Sequence, residues 1–487
     1  MHMPKTAGTT LIQIIEREFE ETEIARWLYP FRLVDEPPDF FATHRYFHGH
    51  VEHSLMRSLL PQEPLVMTML REPVERYLSH VGNHQRVSFE QIPDITRDVF
   101  DQFQQTALVD FVQSPPEILI PLAHYFQNLQ AKFLASDFDQ WSREERNRLV
   151  KTGQYILAAP AYEQVKQRLD QFAFVGLTER FQDSLFLMAY TFGWRPTMVY
   201  QNFNTAQPRP QQAELAPGLL QEIEMVNRLD RQLYDDGRVL FQARYEQMEH
   251  ELLERYGQRK HAHLGRPLSG EELADLLDKH YRQRFVERNL LVTALKLELG
   301  QKISGANWHL PEQHSLHGKL RWTGPGPCAS LDLPLVPDSD VWLRFSVVMS
   351  ITQAVLDSLV VKVNGEPVHV QARPERDGVN IYEGYVPRVL LARQPGCVRV
   401  SFELEKTVQP VGVIPNNKDE RFLGIALNWV EVQAAISDQE GERSKTEQAI
   451  VNLASHPNLG RDPQSSQLAQ RFRALYRRLK RMFGRPQ

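Results

Sequence analysis

The first residues able to do chemistry lie at the start of the chain, where residues 2–10 read HMPKTAGTT. Lys5 supplies a positive charge, and Gly8 lets the backbone approach a ligand closely. The apolar run at 11–15 predicts a helix start, and helix N-termini attract anions. The alternative is an ordinary turn into a helix. We predict a phosphate-binding loop formed by Lys5, Thr6, Ala7, Gly8, Thr9 and Thr10. It is not a Walker A loop, because its lysine precedes the glycine.

A second anion site is predicted at residues 71–79, which read REPVERYLS. Arg71 follows an apolar run at 64–70, and Ser79 comes eight residues later. A guanidinium group matches phosphate oxygens, and a serine hydroxyl adds one donor. Taken alone, Arg71 could instead pair with Glu72 or Glu75 at a surface. Two such sites in one chain suit a nucleotide with phosphate at both its 5′ and 3′ positions.

Between the two anion sites, residues 47–51 read FHGHV. His48 and His50 would point to the same face of an extended segment. Histidine accepts a proton near neutral pH, so one of them could activate a substrate hydroxyl while the other orients it. With 17 histidines in the chain, a structural or surface role is the plain alternative. A metal site is disfavoured, because no cysteine is near and Glu52 would alternate to the other face.

These three segments resemble the PAPS-dependent carbohydrate sulfotransferases. The string PKTAGTT resembles their 5′-phosphosulfate loop, residues 71–79 resemble their 3′-phosphate motif, and HGHV resembles the histidine segment of uronyl and heparan 2-O-sulfotransferases. Residues 174–181 (FVGLTERF) and 227–234 (NRLDRQLY) resemble later segments of the same domain and extend the similarity to about residue 250. In the second of these, Leu229, Leu233 and Tyr234 are expected to belong to a helix core.

The resemblance implies sulfuryl transfer from PAPS to a hydroxyl of a carbohydrate acceptor, with release of PAP. By this resemblance His50 is the first choice for the base and His48 the second. Lys5 would stabilise the charge that develops on the departing PAP. No metal is expected, because a sulfuryl group carries less negative charge than a phosphoryl group.

The elements that must position these residues are strands and helices in alternation, which predict an α/β fold with a parallel sheet. Apolar strands are predicted at 64–70 and 172–177, and helices at 182–192 and 218–257. With the resemblance, residues 1–258 become a P-loop-like, three-layer sulfotransferase domain. Members of the family have a complete strand before the loop, whereas only residues 1–3 precede it here. This predicts either a very short first strand or a true start upstream of Met1.

The remainder of the chain divides into three further segments. A helical linker is predicted at 259–302, with a helix start at Ser269. Residues 303–434 contain short alternating runs and an Asn364-Gly365 hairpin turn, which predict an all-β sandwich. This region resembles the β-sandwich modules attached to some bacterial glycosyltransferases. Its Trp308 and Trp322 would either stack on sugar rings or fill the core.

The tail, 435–487, starts polar and ends in a basic amphipathic segment at 471–485. That segment would bind an anionic membrane surface or a protein partner, or it is a solvated chain end. We find no signal peptide and no apolar run of membrane-spanning length. The expected location is therefore the cytoplasm, with the inner face of a membrane as an alternative.

Composition limits the classes of function. The 487 residues are 42% hydrophobic and 24% charged, which predicts a folded chain of two or three domains. The net charge of -5 gives no indication of nucleic-acid binding, and two cysteines form no disulfide framework. Two alternatives to a sulfotransferase stay open: a catalytically inactive carbohydrate-binding or scaffold protein with the same fold, and a P-loop kinase. The kinase is disfavoured by the missing GK[ST] sequence.

Overall fold

The computed structural model describes residues 1–91, 96–135, 162–198, 211–257 and 268–435, with single positions between 142 and 148. A mixed α/β region comes first and an all-β antiparallel region second. The first region contains two parallel strand pairs, β1 (Ile24–Leu28) with β2 (Tyr46–Gly49) and β3 (Met67–Leu70) with β4 (Phe174–Leu177). Its described helices are α1 (Gly8–Glu16), α2 (Pro30–Leu33), α3 (Pro38–Thr43), α4 (His53–Leu59), α5 (Pro73–His84), α6 (Arg97–Gln105), α7 (Leu108–Gln113), α8 (Ile120–Phe126), α9 (Leu129–Ala135), α10 (Tyr162–Gln171), α11 (Phe181–Phe192), α12 (Pro217–Val226), α13 (Arg228–Tyr256) and α14 (Gly270–Arg288).

Residues 1–3 lie between the two strand pairs and join them. The amino group of Met1 donates to Met67 O at 2.7 Å, and the His2 N–H donates to Gly49 O at 3.3 Å. Since Met1 meets the start of β3 and Lys5 meets Arg71 beyond its end, the segment runs in the direction of β3. The loop that follows residue 3 therefore lies at the carboxyl end of β3.

The predicted strands and helices of this region are confirmed at their centres. Strands β3 and β4 lie inside the two predicted apolar runs, and α11 covers the predicted helix at 182–192. The predicted helical stretch 218–257 is divided into α12 and α13 at Asn227, whose side chain accepts a hydrogen bond from the Asn128 N–H at 3.1 Å. A buried core joins α1, β3, β4 and the long helix α13.

The second region is a pair of antiparallel sheets around one apolar core. The hairpin turn at Asn364-Gly365 is confirmed, with φ angles of 48° and 89°. The strands are β5 (Leu295–Glu298), β6 (Gly305–Ala306), β7 (Glu312–His314), β8 (Gly318–Trp322), β9 (Cys328–Leu333), β10 (Val341–Ser350), β11 (Val360–Val363), β12 (Glu366–Val368), β13 (Gln371–Pro374), β14 (Asn380–Val386), β15 (Val398–Glu403) and β16 (Ile425–Ala434), with short helices α15 (Gln353–Asp357) and α16 (Arg388–Leu391). One sheet has the order β13-β14-β10-β16-β8-β7, with β5 also beside β16, and the other has the order β12-β11-β15-β9-β6.

The predicted border between linker and sandwich needs correction. Helix α14 begins after Ser269, as predicted, but ends at Arg288, so the linker 259–302 is not helical throughout. Residues 295–298 form β5 and pair with β16, which places the start of the sandwich before residue 303. The reason is local, because Leu295 and Leu297 face the core while Lys296 and Glu298 face solvent, a strand period of two.

The prediction for the tail at 435–487, including its basic segment 471–485, lies outside the described residues except for Ala435. Within the part of the chain that the structure describes, no helix combines the length and the apolar character needed to cross a membrane.

Candidate functional site

The Lys5 loop, defined as residues 4–10, curls tightly between residues 1–3 and α1. Lys5 and Ala7 have φ angles of 68° and 60°, in the left-handed region that residues with a Cβ seldom adopt. Helix α1 begins at Gly8, and Ala7 at its N-cap has no side-chain oxygen to accept the first N–H groups. The loop therefore presents the positive end of a helix, which suits a bound anion.

Gly8 has a packing reason in addition to the one predicted from sequence. A Cβ atom at this position would lie 1.9 Å from His2 Nε2, so any other side chain would collide with the imidazole. The His2 ring in turn lies 4.5 Å from the His50 ring, measured between centroids. Gly8 thus allows residues 1–3, the loop and the candidate base to pack together.

The threonines of the loop differ in what their hydroxyls contact. Thr6 is buried, and its Oγ1 donates to Met3 O at 3.0 Å, a bond that stabilises the turn. Thr10 is buried within the first turn of α1, while Thr9 beside it is half-buried. Thr6 would therefore reach an anion through its backbone N–H rather than its hydroxyl.

The two predicted anion motifs meet at Lys5. The Arg71 guanidinium donates from Nη1 to Lys5 O at 3.0 Å, although 66 positions separate the two residues. The Lys5 ammonium donates to Asn83 Oδ1 at 2.9 Å, and Arg71 lies 3.6 Å from the Glu75 carboxylate. Two cationic side chains from two loops are thus held together at the carboxyl end of β3.

Ser79 lies on the face of α5 that is turned to these cations. Residues four apart share a helix face, and Glu75, Ser79 and Asn83 follow this spacing. Glu75 contacts Arg71, and Asn83 contacts Lys5. Ser79, which is buried, therefore lies between two residues that touch the predicted anion-binding side chains.

Arg76, the other arginine of the second motif, belongs to the packing. It is fully buried and lies 3.5 Å from the Asp230 carboxylate. It also donates to Phe126 O at 2.6 Å. Asp230 accepts backbone N–H groups of Gln130 and Ala131 at 3.2 and 2.8 Å. The segment at 227–234 thus fixes the base of α5. Leu233 and Tyr234 are buried as predicted, and Leu229 is half-buried against the same core.

His50 follows β2 directly and has the tautomer that a general base needs. Its Nδ1 lies 2.9 Å from His2 O, and a carbonyl can only accept, so Nδ1 bears the proton. Nε2 is then the nitrogen with a lone pair, able to take a proton. Burial lowers the pKa of His50 below its ordinary value, and the Lys5 charge acts in the same direction. The imidazole is therefore neutral at neutral pH.

His48 has a different environment. It is buried within β2, and its Nε2 lies 2.9 Å from Glu16 Oε1, at the opposite end of α1 from the Lys5 loop. Glu16 also accepts from Arg26 at 2.9 Å. Burial raises the pKa of Glu16, but the hydrogen bonds from His48 and Arg26 outweigh it and hold the pKa below its ordinary value. A carboxylate accepts, so Nε2 of His48 bears the proton, and the nitrogen left to act as base is Nδ1, which is buried in the protein.

Three residues near the site were not singled out from sequence. Asn83 had a usable signal, since it lies one helical turn beyond Ser79 on the same face. Glu179 lies inside the FVGLTERF segment, whose similarity to the family does not indicate which side chain matters. Gln130 contacts Arg71 across 59 positions and has no local signature.

The tryptophans predicted either to stack on sugar or to fill the sandwich belong to its core. Trp308 and Trp322 are 2% and 6% exposed. The Trp308 Nε1 donates to Ser330 O at 2.8 Å, and its ring packs against Phe402. The core interpretation is confirmed, because both rings are covered by the protein. As for metals, no group of three or more His, Cys, Asp or Glu side chains within the described ranges is arranged to hold an ion.

The chain is similar to known carbohydrate sulfotransferases over part of its length. It is 28% identical over 208 residues to human heparan-sulfate 6-O-sulfotransferase 3, covering 38% of this chain and 40% of that protein. For heparan-sulfate 6-O-sulfotransferase 3-B of Danio rerio the identity is 28%, covering 37% of this chain and 43% of that protein. For the 6-O-sulfotransferase 2 of Gallus gallus it is 25%, covering 37% and 45%. The chain thus spans under half the length of these relatives. The names of all three describe sulfotransferases that act on a carbohydrate, heparan sulfate.

No family model matches the chain. Among solved structures, a family GH115 4-O-methyl-α-glucuronidase is similar with a TM-score of 0.18 and 9% identity, covering 70% of this chain and 39% of that one. A TM-score this low supports no statement about fold or activity.

Proposed function

We propose that this protein transfers a sulfuryl group from PAPS to a hydroxyl of a carbohydrate and releases PAP, using a P-loop-like, three-layer domain at residues 1–258. The observation that supports this most is the hydrogen bond from Arg71 to Lys5 O, which joins two separate anion-binding motifs. An enzyme that binds only a 5′-phosphate chain needs one such motif. A donor with phosphate on both sides of its ribose needs two, close together.

In this proposal the Lys5 loop binds the 5′-phosphosulfate, through backbone N–H groups from Thr6 to Thr10 and the Lys5 ammonium. Arg71 and Ser79 bind the 3′-phosphate, since a guanidinium fork and a hydroxyl both donate to phosphate oxygens. Asn83 keeps the Lys5 amine beside the loop. No residue of this set requires a metal ion to perform its part.

The transfer is a single in-line displacement at sulfur. The acceptor oxygen forms the new S–O bond while the bond from sulfur to the bridging phosphate oxygen breaks. His50 Nε2 takes the acceptor proton, and the bond electrons leave with PAP. Lys5 and the N–H groups of the loop stabilise the negative charge that grows on the departing oxygen. His48 assists by holding β2 to α1 through Glu16.

The acceptor class rests on the relatives, whose names describe heparan-sulfate sulfotransferases.

Two competing functions make different predictions. A catalytically inactive scaffold would bind PAP without transferring sulfate, and a P-loop kinase would bind ATP in preference to PAP. We would titrate PAP and ATP by calorimetry, then follow labelled sulfate from PAPS to a panel of polysaccharides. Tight PAP binding with labelled product is expected. Failure to bind PAP would contradict the proposal.

Replacing the candidate base tests the chemical step. We expect His50→Ala to lower turnover by about 10²–10⁴-fold, because proton transfer from the acceptor loses its base. PAP affinity should stay the same. The acid side of the wild-type pH profile should fall with an apparent pKa below the ordinary value of about 6.5, because His50 must be neutral to act. His124→Ala, at an exposed position in α8, is the matched control. Full activity in His50→Ala would exclude His50 as the base.

A further inference from the structure

The backbone of Arg71 is held by one buried side chain. The Arg71 N–H donates to Gln130 Oε1 at 2.9 Å, and Gln130 Nε2 donates to Arg71 O at 2.9 Å. This pair of bonds is what a neighbouring strand would provide, but β3 ends at Leu70. Gln130 is fully buried, and its own N–H donates to Asp230 at 3.2 Å. The Arg71 backbone is therefore fixed to the Arg76–Asp230 pair that anchors α5.

The next residue, Glu72, is held from the adjacent strand. Leu70 pairs with Leu177 in the parallel ladder, so the residues that follow β3 and β4 lie at one edge. Glu179, two positions beyond β4, accepts the Glu72 N–H through Oε1 at 2.9 Å. Its other oxygen accepts the Tyr234 hydroxyl at 2.8 Å. One carboxylate thus links α13 to the turn that contains Arg71.

Glu72 also connects the turn that contains Arg71 to the start of α5. Its Oε2 accepts the Glu75 N–H at 2.7 Å as the N-cap of the helix, and its Oε1 pairs with Arg231. Glu75 lies 3.6 Å from the Arg71 guanidinium. The guanidinium is thereby fixed from its backbone and from the start of α5 at once.

We propose that Gln130, Glu179 and Tyr234 are positioning residues that fix Arg71 for the 3′-phosphate of the donor. They set the preference of the site for a 3′,5′-bisphosphate over a 5′-monophosphate. This inference rests on the proposed function. None of the three has a described contact with the Lys5 loop, so their effect on a nucleotide passes through Arg71. A misplacement of about 1 Å caused by a mutation away from the reacting atoms can lower an enzyme's rate by about 10²-fold.

The test compares PAP with adenosine 5′-monophosphate by calorimetry, since only PAP uses the Arg71 side of the site. Glu179→Ala removes both hydrogen bonds and should lower PAP affinity about 10-fold while leaving monophosphate affinity unchanged. Glu179→Gln should restore most of the preference, because its amide oxygen still accepts the Glu72 N–H and its amide N–H donates to the Tyr234 oxygen. A merely structural role would lower both affinities together.

Should Glu179→Ala not fold, Tyr234→Phe is the gentler variant. It should lower the ratio of PAP affinity to monophosphate affinity by a smaller factor. Tyr190→Phe is its matched control, because Tyr190 donates to Glu251 at 2.5 Å about 25 Å further along α13. That variant should keep the wild-type ratio. If wild-type protein fails to prefer PAP, the proposed function is wrong. If wild type prefers PAP and both Glu179→Ala and Tyr234→Phe keep that preference, only the positioning role is wrong.

Discussion

Two arginine–carboxylate networks in this molecule hold their arginines in opposite ways. At the junction of sandwich and helices, Arg399 donates to Asp332 at 2.6 Å and to Asp278 of α14 at 2.8 Å. Arg195, which follows α11, donates to the same Asp332 at 3.1 Å. At the ends of β3 and β4, by contrast, Arg71 is fixed through its backbone by Gln130.

The difference indicates what each arginine is for. A guanidinium enclosed by carboxylates joins two layers of the fold, and its charge is balanced there. Burial raises the pKa of Asp332, but Arg195 and Arg399 outweigh it and hold the pKa well below its ordinary value. Arg71 has its backbone fixed by a neutral amide, and its guanidinium contacts the Lys5 carbonyl and the carboxylate of Glu75, the latter at 3.6 Å. The second arrangement is the one that suits an incoming phosphate.

The largest effect on stability is expected at the junction of sandwich and helices. Asp332→Asn should lower the free energy of unfolding by about 3–5 kcal/mol, because two half-buried arginines lose the charge of the buried carboxylate that they share. Since the folded pKa of Asp332 is depressed, this stabilisation is present above the unfolded pKa of about 3.9 and is lost as pH falls through the folded value. Urea unfolding near neutral pH measures the loss, with Asp338→Asn at an exposed position as control. Equal stabilities for the two variants would refute a structural role for the junction.

At the ends of β3 and β4 we expect the reverse pattern, a large loss of activity with little loss of stability. Arg71→Ala should lower kcat/KM for PAPS by about 100-fold, because the donor's 3′-phosphate loses a charge-assisted hydrogen bond. Its melting temperature should stay close to that of wild type, because the backbone bonds to Gln130 survive the substitution. Arg71→Lys keeps the charge without the fork and should recover part of the activity. A loss of stability as large as that of Asp332→Asn would show that both networks are structural.

Sequence reasoning succeeded where the signal was local. The apolar runs before Arg71 and at 172–177 are strands, and the Asn364-Gly365 pair is the expected hairpin turn. It gave no indication of Gln130, because a side-chain amide that completes a backbone ladder 59 positions away leaves no pattern in the sequence. It also left the fate of Trp308 open, since core and sugar-binding tryptophans look alike until burial is known.

Trp308→Phe should produce the smallest change in free energy of the three substitutions. Trp308 adjoins the junction, because it donates to Ser330 O while Arg195 donates to Ser330 Oγ. Phenylalanine keeps an aromatic ring against Phe402 but leaves the carbonyl without its donor, a cost of about 1–2 kcal/mol. Unlike Asp332→Asn, the change leaves every charge of the junction paired.

The control for this variant is Trp342→Phe. Residue Trp342 is 41% exposed, so the stability of this variant should stay within about 0.5 kcal/mol of wild type. PAP affinity should be the same in both variants, since neither residue contacts the Lys5 loop or Arg71. Retention on a polysaccharide gel distinguishes the core role of Trp308 from a sugar-binding role, because only a sugar-binding ring is needed for retention. Loss of retention in Trp308→Phe at unchanged stability would return Trp308 to the sugar-binding role, because a core residue can affect a ligand only by loosening the fold around it.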